Sequence, residues 1–387
     1  MENFEEKTCL CALNRIFGFE PKIGLALISH LGSASKVFSL NEDHLTALLG
    51  PYSKHKAKIC RQAVDEAAKE LIHLSETGIS FCGITEPHYP SLLKECEDPP
   101  IGLYIKSATP LSCLWQEERI AVVGTRDISS YGREWCSKIV RALASTKERP
   151  AIVSGLALGV DIEAHRAALD NGLPTIAVLP TGLDSIYPYR HRVHAEKIAS
   201  SPHSALVTDY PPGTAPLAIH FLRRNRIIAG LSKATILIES KIKGGGMMTC
   251  RLAFSYNRDI YALPGRIDDI RSQGCNELIR HKVAEPIVSA ASLTESLSLS
   301  SVTLQDQTDS TALLERHYTG HIPQEDLVLL KNIFSRIRKN RGITIEEISD
   351  FLRAGYPKTA ELTGLLEIDG FIVTDLLQRC SINPKFM

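Results

Sequence analysis

Six short runs of β-branched and aliphatic residues punctuate the middle of this chain: RIAVVG (119–124), PAIVSG (150–155), TIAVLP (175–180), SALVTDY (204–210), ATILIES (234–240) and DIYALPG (259–265). Runs this short and this continuously apolar suit strands covered on both faces, as in a parallel sheet. Between them lie segments such as YGREWCSKIVRALAS (131–145) and GVDIEAHRAALDN (159–171), where apolar residues return every three or four positions in the manner of a helix with one buried face. The alternation predicts an α/β fold with an extended Rossmann-like, doubly wound parallel sheet. In such sheets ligands sit beyond the carboxyl ends of the strands, so the loops after Val123, Val153, Leu179 and Ile238 are where function is to be sought.

The flanks read differently. Residues 1–90 predict short helices joined by Gly-containing turns, a helix-hairpin-helix or SAM-like domain that either grips nucleic-acid phosphates through backbone amides or serves as a plain packing module. The Rossmann-like domain is expected over 91–291. Residues 292–322 begin with a Ser- and Thr-rich stretch, read as a flexible linker. Residues 323–387 predict three helices and a closing hairpin, a winged-helix domain. Its third helix carries one base, Lys358, against Glu361, Glu367 and Asp369, so it suits a protein partner or an interface better than phosphate-rich DNA. Arg336, Arg338, Lys339 and Arg341 on the first helix of this domain read as a solvated basic face.

Among the 387 residues, 44 Lys+Arg balance 44 Asp+Glu and 44% are hydrophobic, which excludes a disordered tail protein and a chain that is polybasic throughout. The ten cysteines are scattered in the manner of a reducing compartment rather than a disulfide framework. The amino terminus is acidic, and no apolar run approaches the roughly 18 residues that span a bilayer. The expectation is a soluble cytoplasmic protein without a membrane partner.

The overall neutrality hides one polarised stretch. From Ala218 to Arg258 there are eight basic residues and one acid, Glu239, which marks an anion-binding face. Within it, HFLRRNRIIAGLS (220–232) sets Phe221 beside Arg223, Arg224, Asn225 and Arg226 at the start of a helix whose far half is apolar, so the arginines are expected to face the strand ends. Guanidinium groups bind phosphates bidentately, and an aromatic face can stack a base. Three glycine-bearing turns follow predicted strands. VVGTR offers Gly124 for close backbone approach and Arg126 for charge; SGLALGVD offers Ser154, Gly155 and Gly159 before a helix start; KIKGGGMMT offers Lys241, Lys243, Gly244 and Gly245 before another. Together they describe a polyanion groove.

Groups for catalysis are scarce. HRVH (191–194) lacks the H-E-x-x-H pattern, and no G-x-S-x-G elbow or Walker loop is present. Asp161 and His165, four apart on one helix, are expected to hydrogen-bond loops together rather than to act as acid and base. No catalytic residue, metal ligand set or cofactor is assigned.

These motifs, taken in order, resemble the DNA-processing protein A (DprA, or Smf) family of bacterial natural transformation. The resemblance spans residues 95–290 and rests on DPPIGLYIK (98–106), VVGTR, SYG (130–132), SGLALGVDIEAHRAAL, LPTGLDSIYPYRH (179–191), TDYPPGTAP (208–216), FLRRNRIIAGLS, IES, GGGMMT, ALPG and GCNELI (274–279). It implies single-stranded DNA binding in a basic pocket, homodimerisation, and delivery of the strand to the RecA recombinase with relief of the block by single-strand binding protein. Carried over by position, the pocket comprises Gly124, Thr125, Arg126, Ser154, Gly155, Phe221, Arg224, Asn225 and Arg226, with Lys241 and Lys243 beside the glycine loop. The chain departs from the family pattern at Leu222, where F-P-x-R-N-R has proline. It departs again at residues 244–248, where S-G-S-L is usual, and at Thr208-Asp209, in place of S-E. The competing reading is a Rossmann-like nucleotide hydrolase related to phosphoribohydrolases, whose P-G-G-x-G-T-x-x-E loop the glycine stretch resembles; the position of its glutamate holds Leu252 here.

Overall fold

The computed structural model describes residues 5–300, 310–340, 342–375 and 378–383. By packing, the chain divides into two units, residues 1–301 and 302–387. The first unit opens with five helices: α1 (Glu6–Phe17), α2 (Pro21–Leu31), α3 (Ala34–Phe38), α4 (Glu42–Leu49) and α5 (Arg61–Glu76). β1 (Ile79–Gly83), α6 (Ser91–Lys94), β2 (Gly102–Lys106) and α7 (Leu111–Leu114) come next. The six apolar runs then form β3 (Arg119–Val123), β4 (Ala151–Ser154), β5 (Thr175–Val178), β6 (Ala205–Thr208), β7 (Ala234–Leu237) and β8 (Asp259–Ala262). Between them run α8 (Ser130–Ala144), α9 (Val160–Asp170), α10 (Arg192–Ser200), α11 (Ala218–Leu231) and α12 (Gly245–Ser255). α13 (Gln273–Arg280), β9 (Glu285–Pro286) and α14 (Ala290–Ser296) complete the unit.

The strands form one sheet in the order β1-β2-β6-β5-β4-β3-β7-β8-β9. From β6 to β9 every neighbouring pair is parallel, while β2 runs antiparallel to β6 and β1 antiparallel to β2. Each residue of β3 through β7 is buried, as expected of strands covered on both faces. The chain steps outward from β3 through β4 and β5 to β6, then returns to lay β7 beside β3, so winding reverses between β3 and β7. Val123 and Leu237 pair at that reversal. A crevice opens there because successive connections leave to opposite sides of the sheet.

Two expected boundaries move. Helices α1 to α5 do not stand apart as a domain of residues 1–90: Leu10, Leu13, Phe17 and Val64 share one apolar cluster with Phe81 of β1, Leu103 of β2 and Ile228 of α11. The linker expected at 292–322 is also too long. Leu293, Leu297 and Leu299 bury against Ile139, Val140 and Leu143 of α8, so α14 and the residues after it belong to the first unit. Leu293 on α14 and Leu297 at its C-cap, four apart, supply an apolar face that overrides the polar composition around them.

In the second unit, α15 (Ser310–Tyr318) occupies part of the expected linker and buries Leu314 and Tyr318 in that unit's core. Residues 301–309, also assigned to the linker, lie outside the described residues. α16 (Gln324–Lys339), β10 (Ile343–Thr344), α17 (Ile345–Leu352), α18 (Tyr356–Ile368), β11 (Ile372–Thr374) and β12 (Arg379–Ile382) follow, the strands in the order β10-β12-β11. A capping box of Thr344 and Glu347 starts α17. Lys358, the one base of α18, is held by Asp326 at 2.9 Å and Glu361 at 3.2 Å. Among the described residues no helix is long and apolar enough to cross a membrane.

Candidate nucleic-acid interface

A cavity of about 620 Å³ opens at the carboxyl ends of β3 and β7, walled by the loops after these strands and by one side of α11. Its floor is backbone. The Thr125 amide donates to the Glu239 carbonyl at 2.7 Å, and the Thr125 carbonyl accepts from the Val160 amide at 3.1 Å, so the loops after β3, β4 and β7 are laced to one another. This closeness requires glycine: a Cβ at Gly124 would meet Val160 Cγ2 at 2.6 Å, and Gly159, with φ of +78°, passes so near Thr125 that a Cβ would lie 2.2 Å from its carbonyl oxygen.

Of the helices that follow β3, β4 and β7, two have their first turns satisfied from within. At α8, the Glu239 carboxylate accepts the Ser129 amide at 2.9 Å and the Ser129 hydroxyl as well. At α9, the Val160 and Ile162 amides donate to the Thr125 and Ala157 carbonyls, and the buried Asp161 carboxyl stands in the first turn. The expected anion site at the start of α9 is therefore filled by the protein's own groups. α12 differs: Gly244 caps it without a side chain, and among the described residues no acceptor pairs with the amides of Gly245, Gly246 and Met247. Unpaired first-turn amides carry the positive end of the helix dipole and suit an anion. Asn225 Nδ2, 3.5 Å from the Gly245 carbonyl, ties α11 to this loop.

At the mouth, Arg126 lies over the Phe221 ring with its guanidinium carbon 5.0 Å from the centroid, and Tyr187 meets Phe221 edge-on at 5.4 Å. Arg126, Lys241 and Lys243 are exposed, and none has an ion-pair partner among the described residues. Arg224 lies deeper, 3% exposed, donating to the Gly155 carbonyl at 2.7 Å and to the Val178 carbonyl. Burial lowers its pKa to about 10, opposed by the nearby Asp161. Burial in turn raises Asp161, against the pull of Arg224 and of the Ala157 and Gly155 amides.

Of the residues singled out from sequence, Gly124, Thr125, Arg126, Phe221, Arg224, Asn225, Lys241, Lys243, Gly244 and Gly245 line this one cavity. Four others do not. Ser154 is fully buried and donates to the Val122 carbonyl at 2.7 Å; Gly155 lies beneath the Arg224 guanidinium, where a Cβ would collide with it. Arg223 turns to the Gly18 carbonyl at 2.8 Å and to the Phe19 ring at 4.6 Å. Arg226 forms a buried ion pair with Asp209 at 2.5 Å and donates to the Asp98 carbonyl. The expectation that the arginines face the strand ends together fails because a helix turns about 100° per residue. Of three arginines within four positions, Arg224 alone reaches the cavity.

Sequence reasoning passed over Tyr187 and Thr249, counted Glu239 only as the one acid of the basic stretch although it holds the start of α8, and gave Asp161 only a loop-bonding role although it lines the cavity. Tyr187 carried a legible signal, since an aromatic after an apolar strand lies at the ligand edge of an α/β sheet. His165 does bond within the fold: its Nδ1 is 2.7 Å from Thr175 Oγ1, and burial, with Arg224 and His191 nearby, lowers its pKa to about 3. No group of three His, Cys, Asp or Glu suited to a metal occurs among the described residues.

A family model described as DNA recombination-mediator protein A matches residues 80–298. The DNA processing protein DprA of Streptococcus pneumoniae strain R6 is 40% identical over 210 residues, 54% of this chain and 72% of that protein. The solved structure of the DprA from Streptococcus pneumoniae superposes with a TM-score of 0.54 at 34% identity, covering 67% of this chain and 92% of that one. DNA processing protein A from Helicobacter pylori, solved for its single-stranded DNA binding mode, gives a TM-score of 0.51 at 32% identity over 57% of this chain and 95% of that one.

Proposed function

Since this chain belongs to the DNA recombination-mediator protein A family, we propose that it processes DNA by holding a single strand, without sequence preference, in the cavity between β3 and β7. The observation that carries this reading is Arg126 stacked over Phe221 beside Lys241 and Lys243, a cationic and aromatic mouth whose charges no carboxylate among the described residues pairs with. Phosphates meet the cations and the free amides of α12, while bases meet the rings; neither contact depends on base identity. Unpaired bases are needed for stacking, so a duplex is a poorer ligand.

The bound strand is then handed to RecA recombinase in the presence of single-strand binding protein, with a homodimer as the working form, during natural transformation and recombination. Helices α16 to α18 and the three-stranded sheet of the second unit support a winged-helix reading, and the paired state of Lys358 supports a protein partner for α18. The role is one of loading rather than turnover. Against nucleotide hydrolysis, the position of the hydrolase loop's glutamate holds Leu252, which packs against the core, and the cavity carboxyl of Asp161 lies beside the buried Arg224 guanidinium.

The test is a mobility-shift series with single- and double-stranded DNA of one sequence and several scrambled ones. Preference for single strands, indifference to sequence, and loss of binding in Arg126→Ala are expected. Equal affinity for both forms in every variant would refute the reading.

A further inference from the structure

Beside the cavity, and separated from it by one side chain, lies a second groove of about 560 Å³ between α11, α12 and the turn that leads into α2. Leu222 lines both and is 44% exposed, so the two surfaces are continuous. The second groove is apolar where the first is cationic: Phe19, Ile219, Leu222 and Met248 line it, between 39% and 52% exposed. Exposed apolar groups gathered in one concavity mark a binding surface.

Phe19 is braced from behind. Its ring lies 5.6 Å from that of His220 and 6.4 Å from that of Tyr210, and the Arg223 guanidinium sits over it at 4.6 Å. The ring is thus fixed in orientation while half of it faces solvent. The rim carries both signs of charge, Glu20 and Asp98 beside Lys22 and Arg223. Glu20 is engaged by Lys54 at 2.8 Å and His55 at 2.6 Å, and Asp98 accepts from the Tyr256 hydroxyl at 2.6 Å. Arg223 has no carboxylate partner among the described residues, so its charge is available to a phosphate.

We infer that this groove is a second base-binding subsite for the same strand, resting on the reading of the main cavity as a single-strand site. The strand leaves the cavity over Leu222, and a base stacks on Phe19 with its phosphate beside Arg223. The amino-terminal helical region thereby becomes part of the DNA path.

The test uses the full chain and oligothymidylates of about five and about twenty nucleotides, the shorter filling the main cavity alone. Phe19→Ala is expected to weaken the longer strand about 5- to 100-fold and to leave the shorter within about twofold, whereas Phe221→Ala weakens both. Phe19→Trp is expected to retain affinity, its emission quenched by the longer strand and not by the shorter. An unchanged affinity of Phe19→Ala for the longer strand, with Phe221→Ala still weakened, overturns the inference and leaves the main site standing. If neither Phe221→Ala nor Arg126→Ala weakens either strand, the reading beneath it fails as well. A change of oligomeric state in Phe19→Ala without a change in DNA affinity assigns the groove to a contact between copies and overturns the proposal.

Discussion

The guanidinium of Arg224 occupies the space that a side chain at position 155 would need: a Cβ on Gly155 would lie 2.4 Å from both of its terminal nitrogens. The Gly155 carbonyl is also the acceptor that holds Arg224 in place. Gly155→Ala is therefore expected to cost about 1–3 kcal/mol through overpacking and to weaken single-strand binding as Arg224 is displaced. Urea denaturation and fluorescence anisotropy on the same preparation read the two effects; full stability with full affinity would contradict this account.

Charge and stacking at the mouth are separable by salt. Removing Arg126, Lys241 or Lys243 singly is expected to reduce the slope of log affinity against log salt by about 0.7 for each phosphate that is no longer neutralised. Phe221→Ala is expected to lose about 1–3 kcal/mol of affinity with a smaller change of slope, because stacking releases no counterions. Identical salt slopes in all four variants would place the phosphates elsewhere.

Arg226 acts on stability. Its ion pair with Asp209 is 2.5 Å long, the two side chains being 6% and 4% exposed. Removing one partner leaves the other charge buried and uncompensated, which costs about 3–5 kcal/mol. Asp209→Ala is expected to lower the urea midpoint strongly while any folded fraction still binds single strands. A variant with wild-type stability and lost binding would return Arg226 to the DNA site.

Acid should weaken the first unit through His165. Its folded-state pKa of about 3 lies below the ordinary 6.5, so between these values the unfolded chain binds the additional proton. Stability from this group is complete above about pH 6.5 and is lost as pH falls toward its folded pKa. Asp161 works in the opposite sense, since burial raises it and the folded chain keeps that proton longer. His165→Asn is expected to show a smaller fall in urea midpoint than the parent between about pH 7 and pH 5. An equal or larger fall would assign the acid sensitivity to other groups.

The six apolar runs announced β3 to β8 because strands buried on both faces leave a local, nearly uninterrupted pattern. β1 (ISFCG) and β2 (GLYIK) are nearly as apolar but were not read as strands of the sheet. They join the sheet antiparallel, β2 against β6 about a hundred residues later, and that pairing is decided by tertiary contacts. In the same way α14 formed where composition suggested a linker, because Leu293, Leu297 and Leu299 found α8 to pack against.

At the cavity, residue type and spacing were enough to place Gly124, Arg126, Lys241 and Lys243 beyond the carboxyl ends of the strands, since a glycine or cation just past a buried strand has few other places to be. They were not enough to divide the work of Arg223, Arg224 and Arg226. Adjacent in the chain, the three point about 100° apart in successive steps, and their partners, Gly18, Gly155 and Asp209, come from distant loops. Local sequence thus carried the strand pattern and the chemistry available at the sheet edge. Which charges stay free for a ligand and which are used to hold the fold depended on long-range packing, where burial leaves an arginine no choice but to find a partner within the protein.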